Sequence, residues 1–272
     1  MPRSPVDRAD LLRLLDQHRR TTVIPGYRLE TTPETTRYVD DSGVHSFVLH
    51  SLLGPGDVDR IIARETGHFG KLGHAFEWKV FDHDQPPDLR RRLEERGFEI
   101  EPPEAVLVLE LAEAPAALLA PPGSEVRTIS HPGALQDVLE VWKRVWPDED
   151  QTHWVEKIAQ TMRERPASVS VFVAYVDGMP AATGRIAFSP GDPFAYLAGG
   201  ATLPEYRGRG LYTDVLRARV QEAISRGVRL LMVDARPMSR PILERHGFRF
   251  LGHAHACMWK AGPTNSPSPR SG

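Results

Sequence analysis

The fold is decided by residues 201–212, which read Ala-Thr-Leu-Pro-Glu-Tyr-Arg-Gly-Arg-Gly-Leu-Tyr. A strand pattern over residues 194–202 runs into this turn, and a helical pattern leaves it at Leu211. Such a junction aims free backbone N–H groups and the positive end of a helix at one point, which suits a pyrophosphate. Glycines allow the backbone to approach a ligand, and Arg207 and Arg209 add fixed positive charge. The alternative is a surface turn with two solvated arginines. The elements on either side of the turn must therefore distinguish a phosphate site from a surface turn.

The segments around this turn predict a mixed sheet. Residues 169–176 and 180–188 read as a hairpin around Asp177-Gly178, because both turn positions tolerate positive φ. Gly199-Gly200 interrupts the next strand and indicates a bulge or a close backbone approach. The other predicted elements are a strand at 126–129, helices around 135–145 and 154–162, a helix at 211–226, a strand at 230–233, a short helix at 239–246 and a strand at 250–258. This order predicts an α/β fold of the mixed α+β kind.

Two motifs resemble those of the GNAT acyltransferase superfamily. The first runs from Thr202 to Gly210 as Thr-x-Pro-x-Tyr-Arg-Gly-x-Gly at a strand-to-helix junction. The second is residues 241–248, Pro-Ile-Leu-Glu-Arg-His-Gly-Phe, which is similar to the family's short helix ending in Gly-Phe. The resemblance implies the GNAT acyl-CoA N-acyltransferase fold with acetyl-CoA as co-substrate, and we expect no metal.

The resemblance also implies roles for the matching residues. The main chain of Gly200, Ala201 and Thr202 would pair with the pantetheine arm of the coenzyme. The residues expected around the pyrophosphate are Arg207, Gly208, Arg209, Gly210, Leu211 and Tyr212. Three residues depart from the family pattern. Tyr212 stands where Gly or Ala is usual, Leu243 stands where a tyrosine acid is frequent, and Arg236 stands where an asparagine near the cofactor is often found.

Three side chains are candidates for acid–base catalysis, each with a structural alternative. Asp234 ends a buried strand near the expected thioester, but it could equally cap the next turn. Tyr196 on the cofactor strand would face the acceptor or pack in the core. Tyr212 would reach the sulfur or cover the cofactor. Ser239 would bond the pantetheine or act first as a helix N-cap.

The acceptor site is expected between the two helices of residues 135–162. Acids and aromatic residues that would attract a cationic amine occur there, namely Asp148, Glu149, Asp150, Trp142, Trp146 and Trp154. The alternative is an acidic cap at the start of a helix.

The N-terminal half contains a degenerate copy of the second motif. When the sequence is slid against itself, Asp84, Pro87, Arg90, Leu93, Glu94, Gly97 and Phe98 align with Asp234, Pro237, Arg240, Leu243, Glu244, Gly247 and Phe248. Such repetition indicates a duplicated structural unit; two unrelated short helices with glycine caps are the alternative. The glycine run at 67–73 lacks the arginine pair and is weak evidence for a site.

We therefore expect four segments along the chain. They are a degenerate GNAT-like domain at 1–111, a linker rich in Ala and Pro at 112–123, a catalytic GNAT domain at 124–260 and a disordered tail at 261–272.

Composition restricts the possible partners and locations. A net charge of -2 gives no reason to expect nucleic acid or a membrane as partner. The single cysteine, Cys257, excludes an internal disulfide framework and fits a reducing compartment. Since the sequence also contains no apolar run typical of a signal peptide or a spanning helix, we expect a cytoplasmic protein, either a monomer or a homodimer.

These features together favour an N-acetyltransferase. It would transfer an acetyl group from acetyl-CoA to a primary amine of a small molecule or peptide by direct attack. A non-catalytic acyl-CoA-binding sensor is the alternative, because Leu243 cannot donate a proton. A nucleotide site is a weaker alternative, because the loop lacks the Gly-Lys-Ser/Thr sequence of a P-loop.

Overall fold

The computed structural model describes residues 6–260, so the tail predicted at 261–272 lies outside the described residues. The strands are β1 (Tyr27–Thr31), β2 (Thr35–Asp40), β3 (Ser46–Ser51), β4 (Phe76–Phe81), β5 (Glu99–Ile100), β6 (Glu104–Glu110), β7 (Glu125–Thr128), β8 (Val169–Val176), β9 (Met179–Phe188), β10 (Phe194–Thr202), β11 (Leu230–Ala235) and β12 (Arg249–Trp259). The α-helices are α1 (Arg8–Thr21), α2 (Val58–Leu72), α3 (Leu89–Glu95), α4 (Ala116–Leu119), α5 (Gln136–Val145), α6 (Thr152–Glu164), α7 (Leu211–Ser225) and α8 (Arg240–Arg245). None of the helices in this range is long and apolar enough to cross a membrane.

The elements of the C-terminal half form where the turn residues predict them. Strands β8 and β10 have their predicted bounds. The turn between β8 and β9 has positive φ at Asp177 (51°) and Gly178 (78°), as a two-residue hairpin turn requires. Helix α7 ends ahead of Gly227, whose φ is 70° and whose N–H bonds the carbonyl of Ile224 at 3.0 Å.

The described chain folds as two compact units whose bounds differ from the predicted domains. Unit 1 contains residues 6–26 and 104–252, and unit 2 contains residues 27–103 and 253–260. The division predicted from sequence ran through residues 112–123 instead. The reason is that each half of the chain ends in a strand that pairs within the unit built mainly from the other half: β6 pairs with β11 in unit 1, and β12 pairs with β4 in unit 2.

Helix α1 also belongs to unit 1, although it precedes the N-terminal repeat in the sequence. The Asp7 carboxylate caps the helix by accepting the N–H of Asp10 at 2.7 Å. At its other end, the hydroxyl of Thr22 bonds the hydroxyl of Ser189 at 3.0 Å, and His18 pairs with Asp192. These contacts fix α1 to the connection between β9 and β10.

The sheet of unit 1 has the order β6-β11-β10-β9-β8-β7. Strands β10 and β11 run parallel, and the other neighbours are antiparallel. Helix α7 covers one face through Val215, Leu216 and Val220, which are fully buried. Helices α5 and α6 cover the other face through buried residues that include Val138 and Ile158. Each such side chain contributes about 1.5–3 kcal/mol by leaving water, so the two layers hold the sheet in place.

The sheet of unit 2 repeats this arrangement on a smaller scale. Its order is β1-β2-β3-β4-β12, and β5 pairs with β12. Strands β3 and β4 run parallel, as β10 and β11 do, and an antiparallel closing strand follows in both sheets. Its core includes Val48, Ile61, Phe69 and Trp78.

Helices α3 and α8 end in the same cap, which supports duplication. In α3 the N–H of Phe98 bonds the carbonyl of Leu93 at 3.1 Å, and in α8 the aligned Phe248 bonds Leu243 at 3.2 Å. The intervening glycine has a φ of 85° in α3 and 87° in α8. A backbone position with this angle explains why glycine stands in both copies.

The segment predicted as a linker, residues 112–123, packs inside unit 1 rather than joining the two units. Leu118 of α4 is fully buried in the core beneath α7. The carbonyl of Ala117 accepts the Arg217 Nε–H at 2.9 Å, and the N–H of Gly123 bonds the Asp214 carboxylate at 2.9 Å. The Ala/Pro-rich composition that favoured a linker is therefore that of an ordered connection held by α7.

Candidate functional site

Strands β10 and β11 separate in the middle of the sheet of unit 1. Their parallel register ends at the pair Tyr196 and Met232, although β10 continues to Thr202 and β11 to Ala235. On their outer sides both strands remain paired to these ends, β10 with β9 and β11 with β6. In the described chain, residues 197–202 of β10 thus present an inner edge that β11 does not pair.

A bulge at Gly199 turns the backbone of β10 inside this cleft. The register with β9 shifts between Ala198 and Ala201, and Gly199 has a φ of 61°. Its carbonyl accepts hydrogen bonds from Trp142 Nε1 at 3.2 Å and from Thr183 Oγ1 at 3.0 Å. Both donors are buried, so the bulge is held from the core. Trp142, which was expected near the acceptor, packs behind the bulge instead.

The three residues predicted to line the pantetheine arm follow the bulge directly. Gly200 is exposed, and the side chain of Ala201 is buried in the core on the side of α5. Thr202 Oγ1 is buried and, among the described residues, has no hydrogen-bond partner. A buried hydroxyl without a partner costs about 1–3 kcal/mol, so a polar ligand in the cleft would stabilise this position.

The loop between β10 and α7 exposes a run of backbone donors. Gly208 and Gly210 have φ values of 75° and 84°, and a Cβ added at either would meet no atom within 4 Å. The backbone angle, and not a lack of space, therefore requires glycine here. The first helical hydrogen bond joins the N–H of Asp214 to the carbonyl of Gly210 at 3.0 Å, so the N–H groups of residues 211–213 remain for a ligand or solvent. The start of such a helix carries about half a positive charge.

Two exposed arginines flank these donors. The Nε–H of Arg207 donates to the carbonyl of Thr202 at 3.3 Å, and the guanidinium carbon of Arg209 lies 5.4 Å from the ring centre of Tyr206. Leu211, also predicted to contact the coenzyme, has its side chain buried in the core, so only its N–H faces the loop. The loop therefore combines positive charge with oriented donors, a combination suited to a phosphate.

Tyr196 and Asp234 meet across the cleft. The Tyr196 hydroxyl donates to Asp234 Oδ2 at 3.0 Å. Because the neighbouring Ala195 and Leu197 face the α7 side, Tyr196 points to the opposite face of the sheet. Two of the three predicted acid–base candidates are thus brought together. Tyr212 is not with them, since it lies on the α7 side.

Ser239, which precedes the second motif, and Leu243, which lies in it, both have structural roles. Ser239 is the N-cap residue of α8, as the structural alternative expected, but its hydroxyl donates back to the carbonyl of Arg236 at 3.1 Å and makes no capping hydrogen bond. Pro241 in the first turn supplies no N–H for a cap to accept. Leu243 is fully buried in the core, so the position where the family often has a tyrosine holds a packing residue.

Near the end of α5, Trp146 and Glu149 lie beside Arg236, to which the sequence assigned no role. The Arg236 guanidinium carbon lies 5.5 Å from the ring centre of Trp146, and one of its nitrogens lies 3.8 Å from the Glu149 carboxylate. The sequence marks this position only as one where the family often has an asparagine near the cofactor. Asp150 Oδ1 accepts the N–H of Thr152 at 2.9 Å, which is the helix-cap alternative. That backbone hydrogen bond also lowers the pKa of Asp150.

Unit 2 has a similar opening between two parallel strands, but the loop that follows it contains no arginine. The pairing of β3 with β4 ends before β3 does, and Trp78 Nε1 bonds the Ser51 hydroxyl at 3.4 Å across the opening. Residues 52–57 then lead into α2 as Leu-Leu-Gly-Pro-Gly-Asp, so Asp57 puts a carboxylate where unit 1 carries arginines. The glycine run at 67–73 is not a loop, because it lies in the last turns and the C-cap of α2.

Comparisons with known proteins agree with this geometry. Residues 135–248 match the model of the "Acetyltransferase (GNAT) family". No curated protein matches the sequence. A GCN5-related N-acetyltransferase from Kribbella flavida superposes with a TM-score of 0.66 at 17% identity, covering 95% of both chains. A tandem GNAT protein from the clavulanic acid biosynthesis pathway gives a TM-score of 0.59 at 17% identity, covering 95% of this chain and 96% of that one. A functionally unknown conserved protein from Staphylococcus epidermidis gives 0.63 at 15% identity, covering 88% and 96%.

At these identities the solved structures establish the fold, and the family model covers the residues that build the site. The matched range contains the bulge, the cleft between β10 and β11, and the Gly/Arg loop. The orphaned Thr202 hydroxyl, the unpaired strand edge and the free N–H groups also fit an elongated ligand that carries a phosphate. Residues 135–248 of this chain are therefore a domain of the acetyltransferase (GNAT) family.

Proposed function

We propose that this protein transfers an acetyl group from acetyl-CoA to a primary amine of a small molecule or peptide by direct attack. One observation carries the proposal: the opened edge of β10, residues 197–202, leads directly into the backbone donors of residues 208–213. Coenzyme A joins an amide-containing arm, which pairs with a strand edge, to a diphosphate, which suits a helix N-terminus. When bound, acetyl-CoA supplies the activated thioester.

The chain's own groups would hold the coenzyme at three places. The N–H groups of Gly208 to Thr213 bind the diphosphate, and Arg207 and Arg209 neutralise its charge. The main chain of β10 orients the pantetheine arm, where Thr202 Oγ1 gains a hydrogen-bond partner. A backbone N–H in the opened segment polarises the acyl carbonyl, and the bulge at Gly199 fixes its direction.

Asp234 and Tyr196 would act on the acceptor. A primary amine has a pKa of about 10 and is mostly protonated near neutral pH, so it must lose a proton before attack. The Asp234 carboxylate takes that proton, and the Tyr196 hydroxyl, which donates to Oδ2, fixes the orientation of the carboxylate. Arg236 lies over the ring of Trp146 and beside the Glu149 carboxylate, so these two groups are already matched by a cation of the chain and give no preference for a cationic acceptor.

Calorimetry with coenzyme A tests the binding half of the proposal. Gly210→Glu adds a carboxylate among the donors of the loop and is expected to weaken binding at least about tenfold, because the charge repels a diphosphate. Gly178→Glu is the matched control, since Gly178 also has a positive φ (78°) and open space around its Cβ position. Equal affinities in the two variants, or no heat with the wild-type protein, would contradict the proposal.

Thiol release with a panel of amines tests the catalytic half. Asp234→Asn is expected to lower acceptor-dependent release by about 100-fold or more while coenzyme A binding stays intact, since a general base contributes a factor of this order. Tyr196→Phe removes the hydroxyl that orients the carboxylate and is expected to have a smaller effect. Tight coenzyme binding with no amine-dependent release would instead favour the acyl-CoA sensor.

A further inference from the structure

Three side chains of unit 1 lie around the guanidinium of Arg236. Its carbon lies 5.5 Å from the ring centre of Trp146, and two of its nitrogens lie 3.8 Å from carboxylate oxygens of Glu149 and of Glu104, at the start of β6. An aromatic face and two carboxylates at one place form a binding site for a positively charged group. The chain's own arginine fills this cation site of Trp146, Glu104 and Glu149.

The cation site lies on the same side of the sheet as the proposed base. Val233 and Ala235 of β11 pack in the core beneath α7. Asp234 and Arg236 alternate with them along the chain and so point to the opposite face. The contact with Trp146, which packs on the α5 side, agrees with this direction for Arg236. Two strand residues span about 6.5 Å, so an acceptor whose amine lies at Asp234 has its far end close to Arg236.

Arg236 has a fixed backbone and an ordered partner. Its carbonyl accepts the N–H groups of Ser239 at 3.0 Å and of Arg240 at 3.1 Å, so its Cα cannot leave the end of β11 without disturbing the start of α8. The Glu149 carboxylate is itself held, because its Oε2 accepts from Gln151 Nε2 at 2.7 Å. These contacts keep the guanidinium in the cation site.

The guanidinium keeps its hydrogen-bond donors free. Among residues 6–260 its N–H groups make no hydrogen bond, since both carboxylates lie at 3.8 Å, beyond hydrogen-bond distance. By contrast, Arg217 of α7 and Arg240 of α8 each donate to a carboxylate at 2.8 Å. The carboxylates therefore balance the charge of Arg236 without using its donors, which remain for a neutral or acidic group of an acceptor.

We propose that Arg236 is a specificity-determining residue that excludes acceptors with a second positive charge, so that the acceptor is a monoamine whose remainder is neutral or acidic. Without the guanidinium, the indole of Trp146 and the carboxylates of Glu104 and Glu149 would attract a second ammonium group. With it, such a group meets a like charge. The inference rests on the proposed transferase function and names the class of amine that this function leaves open.

Three short acceptors test the proposal in the thiol-release assay. They are β-alanine, propylamine and trimethylenediamine, whose far ends are a carboxylate, a methyl group and an ammonium group. In Arg236→Met we expect kcat/KM to rise about fivefold for the diamine, to stay unchanged for propylamine and to fall about fivefold for β-alanine. The effect is of this size because the side chains of Arg236 and Glu149 are 56% and 50% exposed, and solvent weakens charge interactions there.

The ratio of variant to wild type is taken for each acceptor separately. This ratio removes differences in the reactivity of the amines, and any change in coenzyme binding affects all three acceptors alike. Arg236→Lys keeps the charge and is expected to restore the exclusion of the diamine. Arg240→Met removes a neighbouring arginine that is paired with Glu244 and is expected to change the three ratios equally.

The outcomes separate this inference from the proposed function. If Arg236→Met changes kcat/KM by the same factor for all three acceptors, the inference is overturned and the transferase function stands. Arg236→Gln, also uncharged, decides the same question should the methionine variant fail to fold. Where the three short amines release no thiol, matched members of the amine panel replace them, and release with diamines alone overturns the inference. No release with any amine overturns the proposed function and the inference with it.

Discussion

The substitution Gly199→Ala probes the bulge on which the cleft depends. Gly199 combines a φ of 61° with a Cβ position only 2.5 Å from Cζ2 of Trp142. The indole cannot move away freely, because it is 4% exposed and its Nε1 bonds both Thr183 and the carbonyl of Gly199. The new methyl group must therefore displace either the indole or β10.

The magnitude follows from two contributions. Holding a non-glycine residue in the left-handed region costs about 1–2 kcal/mol. Carbon atoms prefer a separation of about 3.5–4.0 Å, so the overlap with Trp142 requires a shift of roughly 1 Å in a packed core. Overpacking of this kind costs about 1–3 kcal/mol. We expect Gly199→Ala to lower the free energy of unfolding by about 2–5 kcal/mol in total.

Denaturant unfolding of the purified protein measures the effect, and Gly178→Ala is the matched control. Gly178 also has a positive φ (78°), but its Cβ position has no neighbour within 4 Å, so only the backbone contribution of about 1–2 kcal/mol applies. Calorimetry on folded Gly199→Ala should also reveal weaker coenzyme A binding, because the opened edge moves with the bulge. If the two variants unfold at the same denaturant concentration, the indole does not lock the bulge and the reasoning is refuted.

Three further substitutions or reagents test other parts of the structure. Leu118→Ala is expected to lower the free energy of unfolding by about 2–5 kcal/mol, because the side chain is fully buried. Leu119→Ala changes a side chain that is 43% exposed and should lower it far less. Equally small effects of the two substitutions in unfolding experiments would favour the linker interpretation. Burial would raise the pKa of Asp192, but its hydrogen bond and charge interaction with His18 outweigh burial and lower it. Ionised Asp192 therefore stabilises the fold above its unfolded pKa of about 3.9, and this stabilisation is lost as the pH falls through the folded pKa. Asp192→Asn should accordingly lower the unfolding midpoint near neutral pH and match wild type in strong acid. Burial raises the pKa of Cys257 to about 12, so a thiol reagent should label the native protein only as fast as it unfolds, and rapid labelling would contradict the buried position.

The elements of the C-terminal half could be predicted because their signals are local. Alternating or apolar runs define β8 and β10, and the turn at Asp177-Gly178 and the cap at Gly227 mark where the chain must reverse or stop. The unit boundaries could not be predicted in this way. Strand β6 is apolar along its length and would suit either sheet, so no local pattern indicates that it pairs with β11.

The same distinction between local signals and tertiary contacts applies to the candidate site. The Gly/Arg loop was identified from sequence because positive φ and a helix start leave a mark in residue types. The hydrogen bonds that lock Gly199, and the burial of Arg219, depend on which residues meet across the sheet. Arg219 lies seven residues after Tyr212 on α7, hence on the same face, but a sequence pattern assigns an arginine to the solvent side. Tertiary packing overrides that assignment here, because Arg219 is 2% exposed.

Strand β6 ends the N-terminal repeat but pairs with β11 in unit 1, and this pairing gives the degenerate repeat a structural role. The cleft stays open because each of its walls is held from outside, β10 by β9 and β11 by β6. Strand β6 pairs with the residue that carries the proposed base, Asp234, through its partner position Val106. Without β6, β11 would be an edge strand, free to pair again with the open edge of β10 and close the cleft. The N-terminal repeat carries a carboxylate at Asp57, where a phosphate loop would need positive charge. It is still required for the cleft, because β6, the strand that ends it, forms a wall of the site in unit 1.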